Sequence, residues 1–123
     1  HGITWYDTND SVIVNNIAVG GSNFAGLPPG SSSWPNYSWI SVDGAGNTIR
    51  NNITTRNLSG GDNNIEIQPG EENLYFADWL ALDLEHAPGS PAIDAGNPDG
   101  AALYDIEGRP RDAQPDVGAY EAP

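Results

Sequence analysis

The apolar residues of the first 70 positions fall into short runs that alternate with polar residues and are separated by turn sequences. The pattern Ile-x-Asn-Asn-Ile occurs at Ile13–Ile17 and again at Ile49–Ile53, an offset of 36 residues. A third alternating run covers Asn64–Gln68. Alternation with a period of two predicts β-strands, and the Asn- and Gly-rich stretches between the runs predict tight turns. Glu72–Leu84 is the nearest approach to a helical pattern, and its order is ambiguous.

The repeat matches in strand, turn and asparagine positions together, which favours stacked copies of one unit. In a parallel β-helix each coil buries its inward Ile and Val against the same positions of the next coil. We therefore predict an all-β parallel β-helix, of which residues 1–70 form the last two to three coils and residues 71–123 an irregular C-terminal cap of the same domain. Asn15/Asn16 and Asn51/Asn52 would form a side-chain amide ladder at a bend. An antiparallel β-sandwich, whose strands are also short and alternating, is the alternative.

The repeat offset is longer than one coil needs, and the surplus lies in residues 20–38, which we predict to be an inserted loop. Loops on a rigid scaffold often carry binding residues, and flat aromatic rings can stack on sugar rings. Alternatively, these rings fold back and cover apolar surface of the scaffold. Arg50 occupies the x position of the second repeat and would point outward, either towards a groove or simply into solvent. The candidate carbohydrate-binding residues are Phe24, Trp34, Tyr37, Trp39 and Arg50.

The last third of the chain carries three short motifs in which a carboxylate stands beside an apolar residue and a glycine follows closely. They are Ile93–Gly96, Asp105–Arg111 and Asp116–Glu121. Glycine allows turns that a side chain would obstruct, and prolines between the motifs restrict the backbone. We expect an ordered, irregular closing structure.

These motifs, with Leu82–Leu84 and Pro88–Gly96 before them, resemble the C-terminal signature of right-handed parallel β-helix (pectate-lyase-like) proteins. In particular they resemble the choice-of-anchor Q domain group of secreted or surface-attached bacterial and archaeal proteins. The resemblance covers the last third of the chain closely and the two preceding repeats loosely. It implies a right-handed β-helix in an extracellular or cell-surface, carbohydrate-rich setting. Related β-helix enzymes include polysaccharide lyases and hydrolases, so the resemblance indicates fold and location more than one reaction.

The acids of these motifs allow two interpretations. Asp94, Asp105, Asp116 and Glu121 could supply the hard oxygen ligands of a Ca²⁺ site. Alternatively, Arg109 and Arg111 pair with these carboxylates, and the remaining oxygens accept backbone N–H groups at tight turns. We favour this structural network over calcium, because no DxDxDG-like calcium loop occurs in the chain.

The charge and the cysteine count exclude several classes of function. The chain has 17 acidic residues against four arginines and no lysine, for a net charge of −13. Nucleic acids and anionic membranes are therefore poor partners, since both need a basic surface. No apolar run approaches the roughly 20 residues of a membrane helix. With no cysteine, neither a disulfide framework nor a cysteine zinc site can form.

These features predict an extracellular structural or adhesion module, in contact with polysaccharide and without catalysis of its own. The alternative is the C-terminal part of a polysaccharide lyase or glycoside hydrolase. A β-helix beginning at His1 would expose an open first coil, so we expect either missing N-terminal coils or another copy stacked head to tail to cover it. The isolated chain is accordingly not expected to be a well-behaved monomer. Asn-x-Ser/Thr sequons, which permit glycosylation in secreted proteins, occur at Asn9, Asn36, Asn52 and Asn57.

Overall fold

The computed structural model describes residues 3–19, 40–55, 60–68 and 70–123. Each apolar run forms an element of only two to four residues, because a turn follows almost at once. In chain order the elements are β1 (Ile3–Trp5), β2 (Val12–Val14), β3 (Ile17–Ala18), β4 (Ile40–Val42), β5 (Thr48–Arg50), β6 (Ile53–Thr54), β7 (Ile65–Glu66), α1 (Glu72–Tyr75), β8 (Phe76–Asp78), a 3₁₀ turn (Trp79–Ala81) and β9 (Asp83–His86).

The strands of the two sequence repeats pair in parallel. β1 pairs with β4, and β2 pairs with β5 so that Ile13 lies opposite Ile49. β3 pairs with β6, which places Ile17 opposite Ile53, and β7 adds to the far side of β6 with Ile65 opposite Ile53. The sequence alignment of the two repeats is therefore reproduced as the register of parallel strands.

The prediction of a right-handed parallel β-helix is nevertheless wrong for the part of the chain that the structure describes. The strands form four small sheets, three parallel sheets of two or three strands and one antiparallel pair of β8 and β9, without a solenoid or a closed barrel among them. The physical reason lies after β6. Beyond it, only Ile65–Glu66 and a single bridge between Arg50 and Asp62 continue the parallel pairing. Residues 72–86 then form a short helix, a 3₁₀ turn and the antiparallel pair, and from Pro88 onward frequent Gly and Pro residues turn the chain and interrupt strands. No succession of coils therefore forms.

The core consists of two clusters of buried apolar residues. In the smaller cluster Ile13 and Ile49, which face each other across the parallel pair, pack with Ala18 and Ile40. The larger cluster lies between the three-stranded sheet and the residues that come after it. Its buried members are Ile53, Ile67, Phe76, Trp79, Ala92 and Val117. Within this cluster the rings of Phe76 and Trp79 stack with their centroids 6.0 Å apart. The C-terminal residues are thus part of the main core.

The C-terminal segment, residues 87–123, has almost no regular structure. One antiparallel bridge, between Tyr104 and Pro110, is the pairing found within it. The segment packs directly on the repeats at Gly118, which has a φ of 103° and whose N–H donates to the Asn51 carbonyl at 2.8 Å. A Cβ atom at this glycine would lie 2.9 Å from Ile53 Cδ1, so the close approach requires glycine. Side-chain hydrogen bonds hold much of the remaining segment.

Candidate functional site

The asparagines that immediately precede β3, β6 and β7 form a continuous ladder at one end of the three-stranded sheet, here named the inner asparagine ladder (Asn16, Asn52 and Asn64). The backbone N–H and Nδ2 of Asn16 both donate to Asn52 Oδ1, at 3.0 Å each. Asn52 repeats this arrangement on Asn64 Oδ1, at 2.9 and 3.0 Å. Asn52 is fully buried, so its sequon is closed to glycosylation in the folded chain. The predicted amide ladder therefore forms through the second asparagine of each pair.

The preceding residues, Asn15, Asn51 and Asn63, form the outer asparagine row. All three adopt a left-handed backbone conformation, with φ values of 55°, 56° and 52°. Asparagine is among the few residues that tolerate this conformation, because its side chain can hydrogen-bond locally. The conformation turns the chain between one strand and the next. As a result, the side chain of the first asparagine points away from the ladder.

The outer asparagine row binds the C-terminal segment. Asn15 accepts a hydrogen bond from the Ala102 N–H at 3.0 Å and donates to the Asp116 carbonyl at 3.2 Å. Asn51 makes the same two-way contact with the backbone of Asn97, at 2.8 Å in each direction. Asn63 donates to the Ala95 carbonyl at 3.2 Å. A side-chain amide can donate and accept at once, so each residue of the row satisfies irregular backbone that has no strand partner.

Three buried carboxylates organise the interior of the C-terminal segment and, with Arg111, form what we name the carboxylate network (Asp105, Arg111, Asp116 and Glu121). Asp105 accepts from three backbone N–H groups, those of residues 107, 109 and 121, at 2.8–3.1 Å. Asp116 accepts from the N–H groups of residues 94 and 122 at 2.8 and 2.7 Å. Glu121 accepts from those of residues 112 and 116 at 3.1 and 3.0 Å. Buried polar backbone must be paired, and these carboxylates supply the partners.

Arg111 provides the positive charge of the carboxylate network. Its side chain is only 3% exposed and contacts Glu121 Oε2 at 2.9 Å. The guanidinium also donates to the backbone carbonyls of Asp116, Gly118 and Tyr120, at 3.2, 2.7 and 3.1 Å. A planar guanidinium has five N–H donors in a fixed arrangement, which suits it to bind several carbonyls and a carboxylate together. Arg111 therefore neutralises the buried Glu121 carboxylate and also holds together the turn of residues 116–120.

His86, at the end of β9, lies beside this network. Its side chain is 1% exposed, and Nε2 is 3.5 Å from Asp116 Oδ2. Neither ring nitrogen has a hydrogen-bond partner among the described residues. Burial lowers the pKa of His86, and the nearby Asp116 carboxylate opposes this shift without reversing it. Burial therefore favours the neutral form of the ring in the folded state.

The pKa values of the two buried aspartates move in opposite directions. Burial raises the pKa of Asp116, and the backbone N–H groups of Asp94 and Ala122 offset only part of that effect. Burial alone would also raise the pKa of Asp105. There, however, the N–H groups of Arg109, Glu121 and Glu107 outweigh it and lower the pKa. Asp105 accepts one more backbone hydrogen bond, and the positive charge of Arg109 also lowers its pKa, whereas the negative charge of Glu121 adds to the rise in the pKa of Asp116.

The structure brings together some of the residues proposed for a calcium site and separates others. Asp105, Asp116 and Glu121 join through backbone N–H groups that bridge one carboxylate to the next. Asp94 is exposed, and only its backbone N–H contacts the network. Arg109 pairs with Glu107 at 2.6 Å, not with the predicted carboxylates. Within the described ranges, no group of three or more His, Cys, Asp or Glu side chains is placed to hold a metal ion.

The candidate carbohydrate-binding residues lie mostly outside the described residues. Phe24, Trp34, Tyr37 and Trp39 all belong to that undescribed part. Arg50 is described, and its guanidinium pairs with Asp62 at 2.9 Å and with Asp99 at 3.1 Å. Hydrogen bonds to these two carboxylates raise the pKa of Arg50, and its side chain is 18% exposed. Arg50 thus ties the second repeat to the C-terminal segment.

Sequence reasoning missed two features of the site. The third asparagine pair, in Asp62-Asn63-Asn64-Ile65, lies 12 residues after Arg50-Asn51-Asn52-Ile53 and could have been found as a shorter-spaced copy of the same pattern. His86 could not have been found, because nothing in its local sequence indicates burial beside an aspartate.

No protein-family model, curated protein or solved structure matches the chain. The resemblance of residues 90–121 to surface-attached proteins is therefore not supported by a match. None of the helices among the described residues is long and apolar enough to cross a membrane.

Proposed function

We propose that the chain is a structural or adhesion module, displayed outside the cell or on its surface and without catalytic activity of its own. The observation that supports this proposal is that the buried carboxylates bind backbone groups of the protein itself. Asp105, Asp116 and Glu121 all accept backbone N–H groups. A catalytic or metal-binding carboxylate needs an oxygen that can reach the substrate or the ion. These oxygens instead hold irregular backbone in place, which favours an architectural role. The extracellular location rests on the resemblance of the C-terminal motifs to those of surface-attached proteins.

Polysaccharide contact is the adhesive part of this proposal. The candidate sugar-stacking groups are the aromatic residues Phe24, Trp34, Tyr37 and Trp39, and the two tryptophans have the largest rings. With a net charge of −13, the chain repels anionic polysaccharides at low ionic strength. A neutral polysaccharide is therefore the favoured ligand class. The structural role in this proposal is self-association of copies of the chain. Strand edges with unpaired backbone groups favour pairing with another chain.

Calcium binding at the C-terminal acids is the less favoured interpretation. Asp94 has the one exposed carboxylate of the four proposed ligands, whereas Asp105, Asp116 and Glu121 are buried. Ca²⁺ takes six to eight oxygen ligands, and the buried oxygens already accept hydrogen bonds. We expect thermal unfolding to be the same in the presence of Ca²⁺ and of a chelator. A rise of the unfolding temperature with added Ca²⁺ that Asp94→Asn abolishes would instead support a calcium site.

The test of the adhesive role is co-sedimentation of the chain with insoluble neutral polysaccharides, with soluble products assayed in the same samples. We expect binding without product release. Trp34→Ala and Trp39→Ala should weaken binding about two- to tenfold, since an aromatic contact contributes about 0.5–1.5 kcal/mol. Tyr6→Ala is the matched control, because Tyr6 is an exposed aromatic residue that is not among the proposed sugar-stacking groups.

Two outcomes would contradict the proposal. Absence of binding to any polysaccharide would remove the adhesive role. Release of unsaturated or reducing sugars would instead favour the alternative, that the chain is the C-terminal part of a polysaccharide lyase or glycoside hydrolase.

A further inference from the structure

The inner asparagine ladder has two ends with opposite hydrogen-bonding capacity. At the first end, Asn16 uses its backbone N–H and Nδ2 on Asn52, while its Oδ1 accepts from none of the described residues. At the last end, Asn64 Oδ1 accepts from Asn52, while the Asn64 backbone N–H donates to none of the described residues. One end therefore offers an acceptor, and the other offers a donor.

The backbone of the flanking strands has the same polarity. The Asn16 carbonyl accepts from the Ile53 N–H at 2.8 Å. Because successive residues of a strand point their backbone groups to opposite sides, the Ile17 N–H faces the edge of β3 that pairs with none of the described strands. At the other end the Ile65 N–H donates to the Asn52 carbonyl at 2.8 Å. By the same alternation, the Asn64 carbonyl faces the edge of β7 that, within the described part of the chain, pairs with no other strand.

The β7 edge of one copy can form with the β3 edge of another copy the same hydrogen bonds that already join the strands within one chain. The Asn64 N–H can donate to Asn16 Oδ1 of a second copy, as the Asn52 N–H does to Asn64 Oδ1 at 2.9 Å. The Ile17 N–H of that copy can donate to the Asn64 carbonyl, as the Ile65 N–H does to the Asn52 carbonyl. The same register would place Ile17 of the second copy opposite Ile65.

We propose that the β7 edge of one copy docks in parallel against the β3 edge of a second copy, extending the inner asparagine ladder from chain to chain. This inference rests on the self-association included in the proposed function and assigns the residues of the contact. The two surfaces differ, so the contact does not close on itself and copies add in a row. Each copy carries a net charge of −13, so repulsion opposes docking and salt promotes it.

Glu66→Pro blocks the contact at one end only. The Glu66 N–H lies on the open side of β7, two residues after Asn64, and the side chain is exposed. Proline removes that N–H, which makes it suitable for an edge strand that must not pair. Glu66→Gln is the matched control, since it removes the same charge and keeps the N–H. Circular dichroism and thermal unfolding verify that both variants keep the fold.

The experiment is sedimentation velocity of the full chain over a range of protein concentrations, at about 0.1 M and about 1 M NaCl, where the Debye length is roughly 10 and 3 Å. For the wild type and Glu66→Gln, we expect a weight-average mass that rises above 13.0 kDa with concentration, and more strongly at high salt. Glu66→Pro should remain monomeric. When mixed with the wild type it should shorten the assemblies, because it can still dock through its β3 edge and end their growth.

The outcomes separate the contact from the function that it serves. If Glu66→Pro assembles like the wild type, the assigned edge is wrong while self-association stands. If the wild type stays at 13.0 kDa under all conditions, the docking contact and the self-association are both wrong, while polysaccharide binding is decided by its own assay. Should Glu66→Pro fail to fold, hydrogen exchange of the wild-type Ile17 amide decides. Docking predicts exchange that slows with protein concentration, and a concentration-independent rate contradicts it.

Discussion

The side-chain amide of Asn16 donates to Oδ1 of Asn52, 3.0 Å away in space and 36 residues later in the chain. Asn52 then donates to Asn64, so three strands share one line of amides. The ladder satisfies the polar groups of three successive bends. The adjoining outer row turns away and binds the C-terminal segment, so each asparagine pair joins one strand to the next and the strands to the segment.

Removing the central amide of the ladder should destabilise the protein strongly. Asn52 is fully buried, and its Nδ2 also donates to the Ile13 carbonyl at 2.9 Å. Asn52→Ala leaves several buried groups unpaired, and each costs about 1–3 kcal/mol. We expect the free energy of unfolding, measured by urea denaturation, to fall by about 2–4 kcal/mol. Asn73→Ala, at an exposed position of α1, should change it by less than about 0.5 kcal/mol. Equal effects of the two substitutions would contradict the role of the ladder.

The two arginines of the C-terminal segment should differ sharply in their contribution to stability. Arg111→Met leaves the carboxylate of Glu121 buried without its cation, a change that typically costs about 3–5 kcal/mol. Arg109→Met breaks a pair with Glu107 whose side chains are 43% and 42% exposed, and should cost about 1 kcal/mol or less. Denaturant titration of both variants measures the difference. A small effect at Arg111 would show that the carboxylate network does not stabilise the fold.

Stability should depend on pH through His86 in the interval that lies below the unfolded-state histidine pKa of roughly 6.5. The residues that influence the pKa of its ring are Asp116, Tyr120, Arg111 and Glu121. The pKa of His86 is lowered in the folded state, so below the unfolded value of roughly 6.5 the unfolded chain binds more protons. The stability that comes from the neutral ring is therefore complete above that pH and is lost as the pH falls. The slope is at most about 1.4 kcal/mol per pH unit for one proton.

His86→Gln tests this pH dependence, because glutamine does not titrate. Urea denaturation across the interval should show a flatter profile for His86→Gln than for the wild type. His1→Gln removes the other histidine of the chain and should keep the wild-type slope. A slope that follows His1 and not His86 would mean that burial of His86 does not control stability in this range.

Gly118 should be far less replaceable than a glycine of similar backbone conformation in open space. Gly118 has a φ of 103°, and a Cβ there would lie 2.9 Å from Ile53 and 3.2 Å from Ile17. Gly108 has a φ of 83° with no atom within 4 Å of the same position. Both alanine variants carry backbone strain of about 1 kcal/mol, and Gly118→Ala adds a clash of about 1–3 kcal/mol. Thermal unfolding should therefore rank Gly118→Ala well below Gly108→Ala, and equal midpoints would rule out the close approach.

The sequence was sufficient to predict how the two repeats pair. The motif Ile-x-Asn-Asn-Ile includes both the alternating residues of a strand and the asparagines of the bend that follows it. Aligning its two copies therefore predicts that Ile13 lies opposite Ile49, as the structure shows. It was not sufficient for the fold class. The same local pattern is compatible with a long stack of coils or with sheets of two or three strands, and the residues after the repeats decide how many strands pair. Here β7 is two residues long, and the chain then turns away.

The C-terminal site was predictable in kind but not in detail. The three motifs indicated a hydrogen-bonded structure and singled out Asp105, Asp116 and Glu121, which are buried, but they equally singled out Asp94, which is exposed. Asn15 contacts Asp116 across 101 residues of sequence. Contacts of that separation follow from packing and not from local propensity. Asp94 and Asp116 have similar sequence surroundings, and only packing buries the second.

Amide hydrogen exchange tests most directly whether the buried carboxylates hold the C-terminal segment as part of the folded core. The N–H groups of Arg109, Glu121 and Ala122 donate to Asp105 and Asp116 and belong to no strand or helix. We predict that these amides exchange as slowly as those of Ile53 and Ile65 in the parallel sheet, through global unfolding. Exchange at the rate of an unprotected loop, while Ile53 and Ile65 stay protected, would contradict this role of the carboxylates.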